Sequence, residues 1–188
     1  MASAFSHAAA ALALGVAFAR PEVPRRVWVL GAVCAALPDL DVVAFRFGIP
    51  YEHVLGHRGL SHSFAFSAAL AGALVLLLFR RGVPGMAAGR LWLYLFLATA
   101  SHGVLDALTD GGLGVAFFAP LWNERWFFPF RPIRVSPIGA GRFFTARGLE
   151  VLASELRWVW LPSLVFALAA LGARRRLSSL AAPASPAR

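Results

Sequence analysis

The chain has little charge, no lysine and a single cysteine. Of its 188 residues 14% are charged, against about 25% in an ordinary soluble domain. A soluble enzyme with a normal polar shell is therefore excluded. Cys34 stands alone in an apolar run, so no disulfide framework is available, and the residue reads as filler. The sequence has no GxxxxGK[ST] phosphate loop, no G-x-S-x-G elbow and no GxGxxG following a strand. P-loop phosphoryl transfer, the serine-hydrolase elbow and dinucleotide binding have no motif to rest on.

What the chain does have is hydrocarbon. It is 59% hydrophobic, with a mean hydropathy of +0.69. Five apolar stretches stand out, at 4–19, 27–45, 64–79, 91–109 and 158–171. Crossing a bilayer takes about 20 residues in a helix. The expected fold is an all-α polytopic membrane bundle of four or five transmembrane helices. It forms one membrane-embedded domain over 1–173, with an outward interfacial segment at 110–150 and a basic, disordered tail at 174–188. Pro38 is expected to stop the second helix. Ser61 reads as the N-cap of the third. Ala17-Phe18-Ala19 has the form of a signal-peptidase site, but no basic residue precedes the apolar run, so the first segment is expected to be retained.

All 18 basic residues are arginine, and the net charge is +9. The arginines punctuate the apolar runs and do not form a stripe interleaved with aromatics, so no nucleic-acid partner is expected. Arg20, Arg25 and Arg26, then Arg80, Arg81 and Arg90, then Arg174, Arg175 and Arg176 fall on one side of an alternating five-span topology. By the positive-inside rule that side is cytoplasmic. The implied location is a bacterial inner membrane, crossed several times. The sequence leaves the oligomeric state open.

Imidazoles and carboxylates are costly in hydrocarbon and mark functional sites there. Here they collect at one membrane level, the outer one. His7 opens the first segment, Asp39 and Asp41 close the second, His57 and His62 precede the third, and His102, Asp106 and Asp110 lie toward the outer end of the fourth. His102 and Asp106 are four apart, hence on one helix face. Mixed imidazole and carboxylate donors suit zinc, with manganese or iron as alternatives. One or two ions are expected. Asp39, His62, His102 and Asp106 are the foremost candidate ligands, and His7 and His57 follow. Asp41 or Asp110 is a candidate general base or second-ion ligand. Arg58 is a candidate fork for a substrate phosphate or carboxylate. His53 reads as a loop histidine. A structural buried pair at His102–Asp106, helix capping by Asp39 and snorkelling by Arg58 are the plainer alternatives.

The run Leu37-Pro38-Asp39-Leu40-Asp41, then His57-Arg58-Gly59-Leu60-Ser61-His62-Ser63, then Ser101-His102-Gly103-Val104-Leu105-Asp106 resembles the YdjM-like family of bacterial inner-membrane proteins. These are described as metal-dependent hydrolases. A more distant likeness is to the zinc-dependent phospholipase C and P1 nuclease group, all-helical enzymes with zinc held by His and Asp. That likeness implies His7, Asp39, His62, His102 and Asp106 as ligands. It departs in having no histidine after His102, so it implies one or two ions and not three. The expected function is a metal-dependent hydrolase of lipid or lipid-linked phosphoesters. The alternatives are an amidase or metalloprotease at the same site, a metal or proton transporter, and a membrane scaffold.

Overall fold

The computed structural model describes residues 1–180. It is all-helical; among the described residues only three isolated β-bridges occur and no strand. Helix α1 (Ala4–Phe18) starts at Ser3, whose hydroxyl accepts from the Ser6 amide. Helix α2 (Arg25–Ala36) runs straight into a 3-10 segment, Leu37–Phe47. Pro38 therefore does not release the chain into a loop. The missing N–H of Pro38 ends the i→i−4 bonding of α2, and Asp39 and Asp41 ride on the tighter 3-10 turns that follow.

Helix α3 (Phe64–Leu78) is capped by Ser63, which accepts from the Phe66 amide at 3.0 Å. Ser63, and not Ser61, is the N-cap. Ser61 lies on a short 3-10 turn, Leu60–His62, and turns its hydroxyl to Asp41. Helix α4 (Ala88–Ala107) packs on α1, α2 and α3 and is the centre of the bundle. A single turn, α5 (Ala140–Phe143), precedes α6 (Ala146–Glu155). A π-turn, Leu156–Trp160, then joins α6 to α7 (Leu161–Leu180) without a break.

Helix α7 packs chiefly against α1. It carries on through Arg174–Arg176 to Leu180, so the first part of the expected tail, 174–180, is helical. Arginine is a good helix former and is favoured near a helix C-terminus. Arg174 also donates to the carbonyl of Val16 at 3.0 Å, tying α7 to the end of α1. The remainder of that expected tail, 181–188, lies outside the described residues.

Two stretches, Arg25–Phe47 and Ala146–Leu177, are long and apolar enough to cross a bilayer by length and composition. Ala4–Phe18 and Phe64–Leu78 are apolar but shorter. The apolar core fills the middle of the bundle around Tyr94 of α4, against Ala11, Val27, Leu91 and Leu95. Gly31 is needed there, because a methyl group at that position would overlap the Tyr94 hydroxyl.

Segment 110–150 is not simple linker. Its first part is laced onto the C-terminal end of α4. Phe128 donates to Ala107 at 3.0 Å, Asp110 to Ile133 at 2.9 Å, and Val115 and Trp126 exchange two bonds of 2.9 Å. The Phe64 amide donates to Phe117, and the Ala116 amide to Arg58. This lacing fixes the loop that carries His57 and His62 against α4.

Candidate metal centre

Four elements deliver polar side chains to one buried point. Helix α1 brings His7, the 3-10 segment after α2 brings Asp39, the turn before α3 brings His62, and α4 brings His102 and Asp106. Close approach of the turn to α4 depends on Gly103, where a Cβ would stand 2.7 Å from the His62 carbonyl. The His102 Nε2 lies 2.9 Å from His62 Nε2 and 3.3 Å from Asp39 Oδ1. His62 Nε2 is 3.6 Å from Asp106 Oδ2, and His7 Nε2 is 3.5 Å from Asp106 Oδ1. The His7 ring stacks on His102 with centroids 3.6 Å apart.

The tautomers follow from the partners on the far side of each ring. His102 Nδ1 donates to the Ala35 carbonyl at 2.6 Å, which leaves Nε2 with a lone pair. His62 Nδ1 faces Asp41 Oδ2 at 3.2 Å, so in the neutral ring the proton sits there and Nε2 carries the lone pair. The two Nε2 atoms then face each other at 2.9 Å, a separation that a proton or a metal ion held between them accounts for. The neighbouring carboxylates are as exacting. Both oxygens of Asp39, Oδ2 of Asp106 and both ring nitrogens of His7 are buried without a hydrogen-bond partner. Each such group forfeits about 1–3 kcal/mol, more if charged.

A divalent cation fits this donor set. One ligand atom from each of Asp39, His62, His102 and Asp106 lies within 4.8 Å of the others. Ligands at 2.0–2.2 Å from a tetrahedral ion sit about 3.4 Å apart, and the separations here bracket that value. His7 is a fifth donor beside them.

Asp41 does a different job. It accepts from His57 Nδ1 at 2.6 Å, from the Arg58 amide at 3.1 Å, from the Ser61 hydroxyl and from His62 Nδ1. With both oxygens engaged it orients two imidazoles. Burial lowers the basicity of His57 despite Asp41 beside it, so that ring is neutral at pH 7 with Nε2 bare. Asp41, His57 and His62 form a second group of possible ligands sharing His62 with the first.

Arg58 is fully buried in a left-handed conformation, φ 62°, which is uncommon for a residue with a side chain. Its Nε stands 3.0 Å from Asp106 Oδ2, a close ion pair whose angle is too poor for a hydrogen bond. Its other nitrogens donate to the Gly111 carbonyl and the Thr109 hydroxyl. The guanidinium thus grips the end of α4.

Asp110 stays outside both groups, accepting from Arg134 and from the Val135 amide. Partial burial pushes its carboxyl up, but those two donors outweigh it and hold it below the usual carboxylate range. His53 is exposed and accepts from the Leu55 amide.

Sequence reasoning missed Glu155. It is fully buried and accepts from the amide and hydroxyl of Ser3. Ala2 in turn donates to Asp106 at 2.7 Å. A carboxylate isolated among apolar residues in 151–161 was the available signal.

The chain is 38% identical over 168 residues to inner membrane protein YbcI of Escherichia coli (strain K12), covering 88% of this chain and 94% of that protein. No solved structure matches it, and the distant likeness to zinc-dependent phospholipase C and P1 nuclease stays an expectation from sequence. Residues 1–178 match the description of the YdjM inner membrane protein, and the chain belongs to that family.

Proposed function

We propose that the chain is a metal-dependent hydrolase of the bacterial inner membrane, acting on phosphoesters of lipid or lipid-linked substrates. The observation that carries this reading is the pair of Nε2 atoms of His62 and His102, facing each other 2.9 Å apart, beside the unpartnered oxygens of Asp39 and Oδ2 of Asp106. His7, Asp39, His62, His102 and Asp106 would hold the ion, with zinc first among candidates. Such an ion, when bound, lowers the pKa of water toward neutrality and polarises a phosphoryl oxygen.

The chain's own residues do the rest. Asp41 keeps the Nδ1 protons of His57 and His62 on its own side, so their Nε2 lone pairs stay available. The Ala35 carbonyl does the same for His102. Arg58 holds Asp106 in place and balances part of the local negative charge. His57, whose Nε2 has no assigned task, is placed to share in binding a second ion or to accept a proton.

A lipid substrate is favoured by the surroundings. An open apolar cleft of about 330 Å³ is lined by Phe64, Val104, Phe117, Phe118, Trp126 and Phe128. Two of its walls, Phe64 and Val104, lie two residues beyond His62 and His102. A chain of methylenes in that cleft brings a headgroup toward the histidines. Four or five spans, with this end facing the periplasm, remain part of the proposal. They require α1, α3 and α4 to cross with help from flanking residues or a locally thinned bilayer.

Metal analysis of the purified protein tests the reading. Wild type should carry zinc or a similar ion in near-stoichiometric amount, and His102→Ala should lose most of it while remaining folded. Wild type that takes up no divalent ion, even on reconstitution, sinks the proposal.

A further inference from the structure

An arginine outside both groups of possible ligands holds His57 in place. The loop that carries His57, 48–59, has no regular helix or strand. Asp41 takes the ring proton of His57, but the backbone behind that ring is held by Arg125. Its Nη1 donates to the His57 carbonyl at 2.8 Å. Its Nη2 donates to the Tyr51 carbonyl at 2.8 Å and to the His53 carbonyl at 3.1 Å. Three carbonyls of one loop thus converge on one guanidinium. The same group lies over the Tyr51 ring, 5.4 Å from its centroid. That ring in turn meets the His57 imidazole edge to face, with centroids 5.1 Å apart. Arg125 therefore fixes His57 twice, through its carbonyl and through the aromatic wall beside its ring. Gly112, at φ 91°, makes room for this wall, since a Cβ there would stand 2.9 Å from the Tyr51 hydroxyl.

The other histidines of the site are held by other means. The turn that carries His62 is laced by the Ala116 amide to Arg58 and by the Phe64 amide to Phe117. His7 and His102 come from α1 and α4. Loss of Arg125 therefore singles out His57. The hydrogen bonds of Arg125 all go to carbonyls, and a planar fork serves them in two directions where a single ammonium does not. Its neighbour Trp126 pairs with Val115 through the backbone and lines the apolar cleft. One short segment thus walls the cleft and holds His57.

We propose that Arg125 is a positioning residue. It sets the His57 ring so that Nδ1 meets Asp41 and the Nε2 lone pair stays free. The use made of that lone pair rests on the hydrolytic reading; the hold itself does not.

The test reads the His57 Nδ1 proton by NMR in the metal-free full chain, in detergent, with nitrogen-labelled histidine. A proton held between His57 and Asp41 resonates far downfield and exchanges slowly with water, and His57→Gln assigns it by removing it. Arg125→Gln should speed that exchange about tenfold or more, the least expected from losing a hydrogen bond to a charged group. The proton between His102 and the Ala35 carbonyl should be unmoved, which shows that the bundle is folded. Arg125→Lys keeps the charge without the fork and should behave like Arg125→Gln. Arg131→Gln removes the same charge from an exposed arginine of the same segment and should leave the exchange as in wild type. Wild-type exchange in either Arg125 variant, an equal change in Arg131→Gln, or loss of both histidine signals in both Arg125 variants overturns the proposal. The signal is read without metal, so a failure to take up zinc, which sinks the hydrolytic reading, leaves the His57 proton to decide this one.

Discussion

Tyr94 and His102 sit on the same helix, about 12 Å apart along its axis, and both are fully buried. Around Tyr94 the neighbours are Phe18, Trp28, Gly15 and Gly31, and the residue is fixed by shape. Its hydroxyl makes one long bond, 3.4 Å, to the Ala11 carbonyl. Around His102 the neighbours are His7, Asp39, His62 and Asp106, and the residue is fixed by where its proton points. The first region needs volumes to match. The second needs lone pairs and charges to match, and it tolerates no vacancy among its partners. One bundle therefore has two failure modes. Changes near Tyr94 should cost stability and leave ion binding per folded molecule intact. Changes to the ligands near His102 should cost ion binding first.

Arg58 is where the two failure modes should merge, and the largest effect is expected there. Arg58→Met leaves the buried Asp106 carboxylate without its guanidinium partner. Breaking a buried pair in this way costs about 3–5 kcal/mol. Thermal unfolding in detergent should show that loss together with a loss of bound metal. Unchanged stability would mean that the guanidinium is not the partner of Asp106.

Gly31→Ala sharpens the contrast from the other side. The added methyl meets the Tyr94 ring, and overpacking of this kind costs about 1–3 kcal/mol. The melting temperature should fall while metal per folded protein stays at the wild-type ratio. A drop in that ratio would show that the two regions are coupled through α4.

Asp41→Asn is the mildest change. The amide keeps the shape but presents one donor to rings that themselves donate. Metal affinity should weaken about 10- to 100-fold, as is typical when a residue orienting the ligands is lost. Competition with a chelator measures this. The same affinity in variant and wild type would remove Asp41 from the role assigned to it.

The i, i+4 spacing of His102 and Asp106 could be read directly from the sequence, because both lie on one helix. So could the gathering of His7, Asp39 and His62 at one end of the bundle, since the order and length of the apolar runs put them at corresponding ends. The stacking of His7 on His102 could not, because it depends on how α1 packs against α4. The roles of Asp39 and Asp41 were open for a similar reason. Two residues apart on an ordinary helix they diverge, and only the tight turns after Pro38 aim one at the cluster and the other at the backs of His57 and His62. The capping serine was misplaced because Ser61 and Ser63 both precede the same apolar run, and Asp41, remote in sequence, decides between them. Span count was the least legible property. Polar residues sit inside α4, and α1 and α3 are shorter than a bilayer requires.

The π-turn at Leu156–Trp160 bears on how the N-terminus is held. Five residues along an α-helix sweep 500°, which leaves side chains 140° apart. The i→i+5 bonding of a π-turn brings such residues nearly into line. That extra residue lets Glu155 reach Ser3 while Trp160 donates to Ser6 at 2.8 Å. Deleting one residue from this turn would restore a regular spiral and swing one of the two hands off α1. The bulge thus works as a two-point clasp on the helix that carries His7.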